Sequence, residues 1–487
     1  MILSLWLLAL AALCSPASAF CGFYAAGADT SLYNSASMVV LAREGHRTVV
    51  SMQNNYEGPP KDFALVIPVP HVLHKGHVRP ISRELFDKVD TLSAPRLVEY
   101  WEQNPCPVSH GGGGDDFSFD EEDSPSRGHA SSPSRESLRR EVKVVEQFEV
   151  AEYDISILSA RDSGALEAWL HEHGYRIPEG AAAVLEPYVA SGMKFFVARV
   201  DVSRLLYKDG KALLTPLRFD YDSDTFSLPV RLGLLNSSGA QDLIVAVLAK
   251  DRYELANYKN ALIPTNIKVK PSAAGQFGAL YDGLFDLTAG DAGDTVVTEY
   301  SWLSTTCDPC PTPPLAPDEV AALGGEVLRW DSKDRLTLTR LHYRYTTETL
   351  GEDLVFRQAT ALFGGRGVPD GRGELTERHR GDATVNQFQG RYVMLHPWEG
   401  PVRCAQPRRG VWGGDPHGGE DQASTAPSAV HGGPLKPASR VELIEALDQD
   451  LPLLDAPEAV GGCSAAPVAG GLGTLVALAM ALRRRRA

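Results

Sequence analysis

The chain has 487 residues, 43% of them hydrophobic, 22% charged and 8% aromatic, a globular composition that excludes a wholly disordered or fibrous protein. Its 47 Lys and Arg against 62 Asp and Glu give a formal charge of −15, so no general field draws it to nucleic acid and that partner class is excluded. The length accommodates two to three domains.

Met1 to Leu13 is apolar apart from Ser4, and Ala17-Ser18-Ala19 has the small-x-small form of a signal peptidase site. Residues 1–19 are therefore expected to be an export signal, cut by signal peptidase after Ala19, although the segment carries no Lys or Arg. The first part of the body, 20–109, mixes strand and helix signals. Met38 to Leu41 and Thr48 to Met52 are rich in β-branched residues, Asn54 to Pro60 is turn chemistry, and Phe63 to Pro70 is apolar, which predicts a hairpin ending at the prolines. Ser82 is placed to cap a helix with Leu85, Phe86 and Val89 on one face, and Ser93 to cap a second with Leu97, Val98 and Trp101 inward. Residues 110–141 hold four consecutive glycines, six carboxylates within nine residues and a Ser/Pro/Arg run, which predicts a disordered insertion rather than a calcium loop.

The main body, 142–404, resumes with two strands across Val142 to Leu158, then a helix capped by Ser163 with Leu166, Trp169 and Leu170 on one face and Gly174 after it. Phe195 to Val202 is expected as a strand, and Phe226 to Leu235 and Asp242 to Leu248 as a strand–turn–strand unit. Asn236-x-x-Gly239-x-x-Asp242 echoes Asn55-x-x-Gly58-x-x-x-Asp62, which raises a reading as two related halves beside that of two ordinary hairpins. Leu336 to Tyr345 alternates apolar and polar residues and predicts a half-buried strand, and Phe388 to Met394 a last strand. Residues 405–462, rich in Gly, Pro, Ala and Asp, are expected to form a flexible stalk. The fold class is thus α+β: a strand-rich body of antiparallel hairpins with a few packed helices.

Apart from Cys14 and Cys463, five cysteines remain: Cys21, Cys106, Cys307, Cys310 and Cys404. Export makes all five disulfide candidates, with connectivity open and an odd thiol left over. Cys307-Asp308-Pro309-Cys310 has redox-motif spacing, but Pro309, Pro311, Pro313 and Pro314 stiffen the loop, which favours a structural bridge, local or to another cysteine. Zinc there lacks a second ligand pair. His71, His74 and His77 lie beside Pro70 in loop sequence, His171 and His173 point apart on a helix, and Gly364-Gly365-Arg366-Gly367 has no lysine for a phosphate loop. Ser237-Ser238-Gly239 is a turn rather than a nucleophile elbow. No catalytic residue, metal ligand or cofactor site is named. One polar edge stands out for ligand or partner contact: Asn54, Asn55, Tyr56, Glu57, Lys61 and Asp62.

In the segment 463–487, Cys463 follows Gly461-Gly462 and precedes 19 uncharged residues and Arg483 to Arg486. Nineteen residues span about 28 Å as a helix, enough for a hydrocarbon core, and the arginines favour the cytoplasmic side. This arrangement resembles the MYXO-CTERM sorting tail of myxobacterial surface proteins. The resemblance implies a myxosortase-type intramembrane protease as partner, processing near Cys463, and attachment to the membrane through the tail or a lipid. Tyr56-Glu57-Gly58-Pro59, Asp62 to Pro70, Asn104-Pro105-Cys106-Pro107, Phe148-x-x-x-x-Tyr153-Asp154-Ile155, Pro229-Val230-Arg231-Leu232-Gly233 and Cys307-Asp308-Pro309-Cys310-Pro311 together resemble the uncharacterised bacterial family called domain of unknown function 2330, over roughly Phe20 to Cys404. That resemblance implies an exported, often anchored protein and carries no catalytic residue. The expected function is an exported protein of the cell envelope, outer membrane or cell surface, anchored at its C-terminus, with a binding or structural role. The alternative is a secreted enzyme or thiol-redox factor using Cys307 and Cys310.

Overall fold

A computed structural model describes residues 23–26, 37–54, 63–106, 142–175, 180–208, 211–236, 240–331, 333–377, 384–416, 424–425 and 437–455. Ala19, Cys21, Asn55 to Asp62, the 110–141 insertion, Ser237 to Gly239 and the tail with Cys463 lie outside the described residues. In chain order the elements are β1 (Phe23–Ala26), β2 (Ser37–Glu44), β3 (Arg47–Asn54), β4 (Phe63–Val69), β5 (Val78–Pro80), α1 (Arg83–Ser93), β6 (Arg96–Glu102), β7 (Val142–Val150), β8 (Tyr153–Ala160), α2 (Ser163–Glu172), α3 (Ala181–Ala190) and β9 (Lys194–Val200). Then follow β10 (Leu217–Asp222), β11 (Gln241–Ala249), β12 (Lys259–Leu262), β13 (Ile267–Val269), α4 (Phe277–Ala289), β14 (Thr295–Leu303), β15 (Thr337–Tyr345), β16 (Phe363–Gly364), β17 (Gln387–Gln389), β18 (Arg391–His396), β19 (Trp412–Gly413) and α5 (Arg440–Ala446), with shorter pieces between.

The result is a strand-rich α+β fold whose sheets stack between helices. A large sheet runs β16-β17-β14-β15-β11-β2-β3-β10-β5, and a five-stranded antiparallel sheet runs β1-β4-β9-β8-β7. Their facing sides share one core, in which Val39, Leu41, Val50, Val245 and Leu341 meet Phe63, Leu65, Ile155, Ile157 and Phe196. The outer face of the smaller sheet, with Ala64, Val66, Leu158 and Val197, is covered by Leu166, Trp169, Leu185 and Tyr188 of α2 and α3. The outer face of the large sheet, with Met38, Val40, Ile244 and Leu338, is covered by Leu85, Phe86, Val89 and Leu92 of α1. The central strands of both sheets are thus buried on both faces, which explains the unbroken apolar run of β4. A third sheet, β13-β18-β6-β19, is parallel between β13, β18 and β6 and antiparallel at β19. This body closes as one unit by Gln449; beyond it, the described residues contain a single-turn helix, Pro452–Asp455.

Several expectations hold: α1 starts after Ser82, although the Ser82 hydroxyl donates to Glu84 instead of capping a backbone N–H, α2 ends before Gly174 at φ +85°, and β7 and β8 pair antiparallel. The N-cap of α2 is Asp162 rather than Ser163, its carboxylate accepting from Ala165 N at 2.8 Å. Other expectations are corrected. The first hairpin turns at Gly45, φ +55°, a backbone shape that a two-residue hairpin loop demands, and β4 leaves for the other sheet. The helix expected after Ser93 is β6, because Pro95 holds Ala94 extended (φ −63°, ψ 149°) and the chain continues straight into pairing with β18. Arg231–Asn236 is a 3-10 helix, so neither echoed turn closes a hairpin and the two-halves reading loses its basis. β15 is buried on both faces, not half-exposed. The last expected strand is two, split at Gly390 between the large and third sheets. Parts of the expected stalk are packed: β19 pairs with β6, and Leu443 of α5 is 1% exposed.

Candidate functional site

Two polar constellations stand out, one open and one buried. The open one is a cleft of about 560 Å³ on the third sheet, within the roughly 300–1,000 Å³ typical of ligand sites. Alternate residues of a strand share a face. The register of β13 on β18, β18 on β6 and β19 on β6 therefore puts Lys268, Leu395, Glu102 and Trp412 on one side, with Lys270 two residues beyond Lys268. Glycine-rich turns bring Arg372 and Arg409 to the rim. Gly410 has φ +71°, and a Cβ there would lie 2.0 Å from Gly371 O, so only glycine lets the two turns touch. Glu102 is turned inward, accepting from Gly410 N at 2.8 Å and from Trp398 N and Arg409 Nη1 at 3.0 Å. Cys106 and Cys404 are disulfide-bonded and join the chain leaving β6 to the loop leaving β18. Arg408 N donates to Pro105 O at 2.9 Å beside that bond.

The buried constellation lies on the helix-facing side of β11, β14 and β15, under α1 and α4. Glu299 occupies a bulge in β14, where the register against β15 shifts between Thr298 and Tyr300, and the bulge turns its carboxylate toward α4. That carboxylate accepts from Arg340 Nε at 2.6 Å, His342 Nδ1 at 2.7 Å and the Tyr281 hydroxyl. Arg340 also pairs with Asp90 of α1. His342 Nε2 donates to Asp242 at 3.0 Å, and Arg344 grips Asp242 through two nitrogens at 2.8 and 3.0 Å while reaching Asp282 and Asp286 of α4. Phe285 stacks on His342 with ring centroids 3.8 Å apart.

Burial opposes charge on His342, but Glu299 and Asp242 outweigh it and raise its pKa to about 9. Burial would likewise raise Glu299, yet His342 and Arg340 hold it down at about 2. Asp242 is held well below the ordinary carboxylate range against its burial, by His342 and Arg344. Both ring nitrogens of His342 are thus committed, and the network ties two helices to the sheet instead of presenting an acid or base to a substrate.

The Cys307–Cys310 bond closes a local bridge in the loop after β14. Arg96, 0% exposed, donates to Pro309 O at 2.5 Å; Gln389 Nε2 donates to Asp308 O at 2.5 Å; Arg366 Nη2 meets the Asp308 carboxylate at 3.0 Å. The loop is pinned to three partners and opens no helix. His71 and His74 are exposed, His74 pairing with Glu146 at 3.4 Å, and His173 stacks on Trp169 at 3.7 Å. Among the described residues no three His, Cys, Asp or Glu are grouped to hold a metal ion. Among them, too, no helix is long and apolar enough to cross a membrane; 464–482 lies outside them.

A family model described as an uncharacterized protein conserved in bacteria (DUF2330) matches residues 15–357. The chain belongs to this family. The match stops before Cys404, short of the span that its motifs suggested. No curated protein and no solved structure matches the chain. All members of the buried network, Asp90 to Arg344, fall inside the DUF2330 region, whereas Arg372, Leu395, Arg409 and Trp412 of the cleft fall beyond it. Sequence reasoning missed the cleft because it assigned Arg409 and Trp412 to a stalk. The available signal was cationic and aromatic residues set among glycines, in Gly371-Arg372-Gly373 and Arg409-Gly410-Val411-Trp412.

Proposed function

We propose that this chain is an exported protein of the cell envelope that binds a ligand in the Lys268–Trp412 cleft without transforming it. The observation that carries this reading is the Cys106–Cys404 bond beside the cleft, since a disulfide bracing a binding surface suits an oxidising compartment. The apolar segment ending at Ala19 supports export through signal peptidase. Cys463, the uncharged stretch after it and the four terminal arginines support anchoring at the outer surface after cleavage by a myxosortase-type protease.

Cell fractionation with thiol labelling tests the location. The expected result is surface-accessible protein with Cys106 and Cys404 oxidised, and misdirected protein after Cys463→Ala or deletion of Arg483 to Arg486. Cytoplasmic protein with free thiols overturns export, and unchanged display of both variants overturns the sorting tail. Turnover on a hydrolase and disulfide-exchange panel, abolished by one substitution in the folded body, overturns the non-catalytic role.

A further inference from the structure

The cleft also carries information about its ligand. Two nearby acids are committed: Glu102 has three donors, and Asp370, beside the lining Gly371, accepts from Arg372 N and Glu374 N at 2.8 and 3.0 Å. Glu374 pairs with Lys268 at 3.0 Å from an exposed position, and the exposed Asp448 lines the cleft as well. Two cations remain. Lys270 Nζ donates to a backbone carbonyl, Glu445 O, at 2.7 Å, and the Arg372 guanidinium has Asp370 nearby but no carboxylate within salt-bridge distance among the described residues. The net charge of −15 does not cancel them, because screening limits its reach to about 8 Å at physiological ionic strength. Leu395, Pro397 and Trp412 line the same cleft, and the indole of Trp412 is fixed by its Nε1 donating to Asp370 O at 2.9 Å. A fixed indole offers a flat apolar face with a polar edge. Gly371 and Gly373 also line the cleft, and a Cβ at Gly373 would lie 3.6 Å from the Trp412 ring.

Resting on the binding reading above, we infer that the cleft takes an acidic saccharide, a sugar-acid ring stacked on Trp412 with its carboxylate between Lys270 and Arg372. The open cleft suits a segment of a polymer, and the flat indole favours a ring over an acidic peptide.

The test titrates the full chain, purified in detergent, with oligogalacturonate, its methyl ester and oligoglutamate, followed by calorimetry and tryptophan fluorescence. Oligogalacturonate is expected to bind, and the ester at least about tenfold more weakly. Lys270→Met, Arg372→Gln and Trp412→Leu are each expected to weaken binding about tenfold with an unchanged unfolding temperature for the two cation variants. Equal binding of acid and ester, oligoglutamate binding as tightly, indifference to all three substitutions, or no binding of oligogalacturonate overturns the saccharide assignment. Those outcomes leave the envelope reading standing, since that reading falls only on the localisation and turnover results.

Discussion

Arg340 and Glu299, on neighbouring strands of the large sheet, meet at 2.6 Å with side chains only 2% and 1% exposed. Each is held by further charges, Asp90 on one side and His342 on the other, so the pair is a link in a chain running from α1 to α4. Arg340→Met removes the cation that Asp90 and Glu299 share in the interior. Breaking a buried pair from one side typically costs about 3–5 kcal/mol. The variant is expected to lose that much in urea unfolding, and a loss below about 1 kcal/mol contradicts the network's role.

The same cluster sets a pH window. His342 has its folded pKa raised from 6.5 to about 9, so its contribution is complete below pH 6.5 and is lost as pH rises through 9. Glu299 has its folded pKa lowered from 4.5 to about 2, so its contribution is complete above pH 4.5 and is lost as pH falls through 2. Both are complete between about pH 4.5 and 6.5. Thermal unfolding against pH is expected to decline from pH 6.5 to 9, and His342→Gln to flatten that decline.

The Cys106–Cys404 bond closes a separation of 298 residues. Cys106→Ser with Cys404→Ser is expected to lower stability by about 2–4 kcal/mol, the usual worth of a native bridge. Because the bond joins the chain segments leaving β6 and β18, ligand affinity is expected to fall as well. Denaturant melts and the saccharide titration check the two effects separately.

Gly283 of α4 lies against the segment leading into α5: a Cβ there would sit 2.4 Å from Ala438 O, and Ala438 N donates to Ala279 O at 2.9 Å. Gly283→Ala is expected to push this segment away, at a cost of about 1–3 kcal/mol for overpacking. Limited proteolysis is expected to cut the variant within 437–449 faster than the native protein.

What was legible in the sequence was local. The face of α1 follows from the spacing of Leu85, Phe86 and Val89, the end of α2 from Gly174, and β15 from its alternation. Ser93 was misleading because a capping residue and Pro95 suit a helix start as well as a strand start, and only pairing with β18 selects the strand. The polar edge around Asn54 was visible as composition, but its turn lies outside the described residues, while the cleft uses Lys268, Leu395 and Trp412, up to 144 residues apart.

The sequence by itself determined the class: an α+β body and a motif set that proved to belong to DUF2330. Tertiary structure decided which polar residues are buried and which meet. Alternation in β15 marks Arg340, His342 and Arg344 as one face of a strand, and without the helices above them that face would belong to solvent. Once α1 and α4 cover it, the same three cations need buried carboxylates, and Asp90, Asp242 and Glu299 supply them from three other elements. Strand period is a property of a few consecutive residues, whereas desolvation depends on what the rest of the chain lays on top.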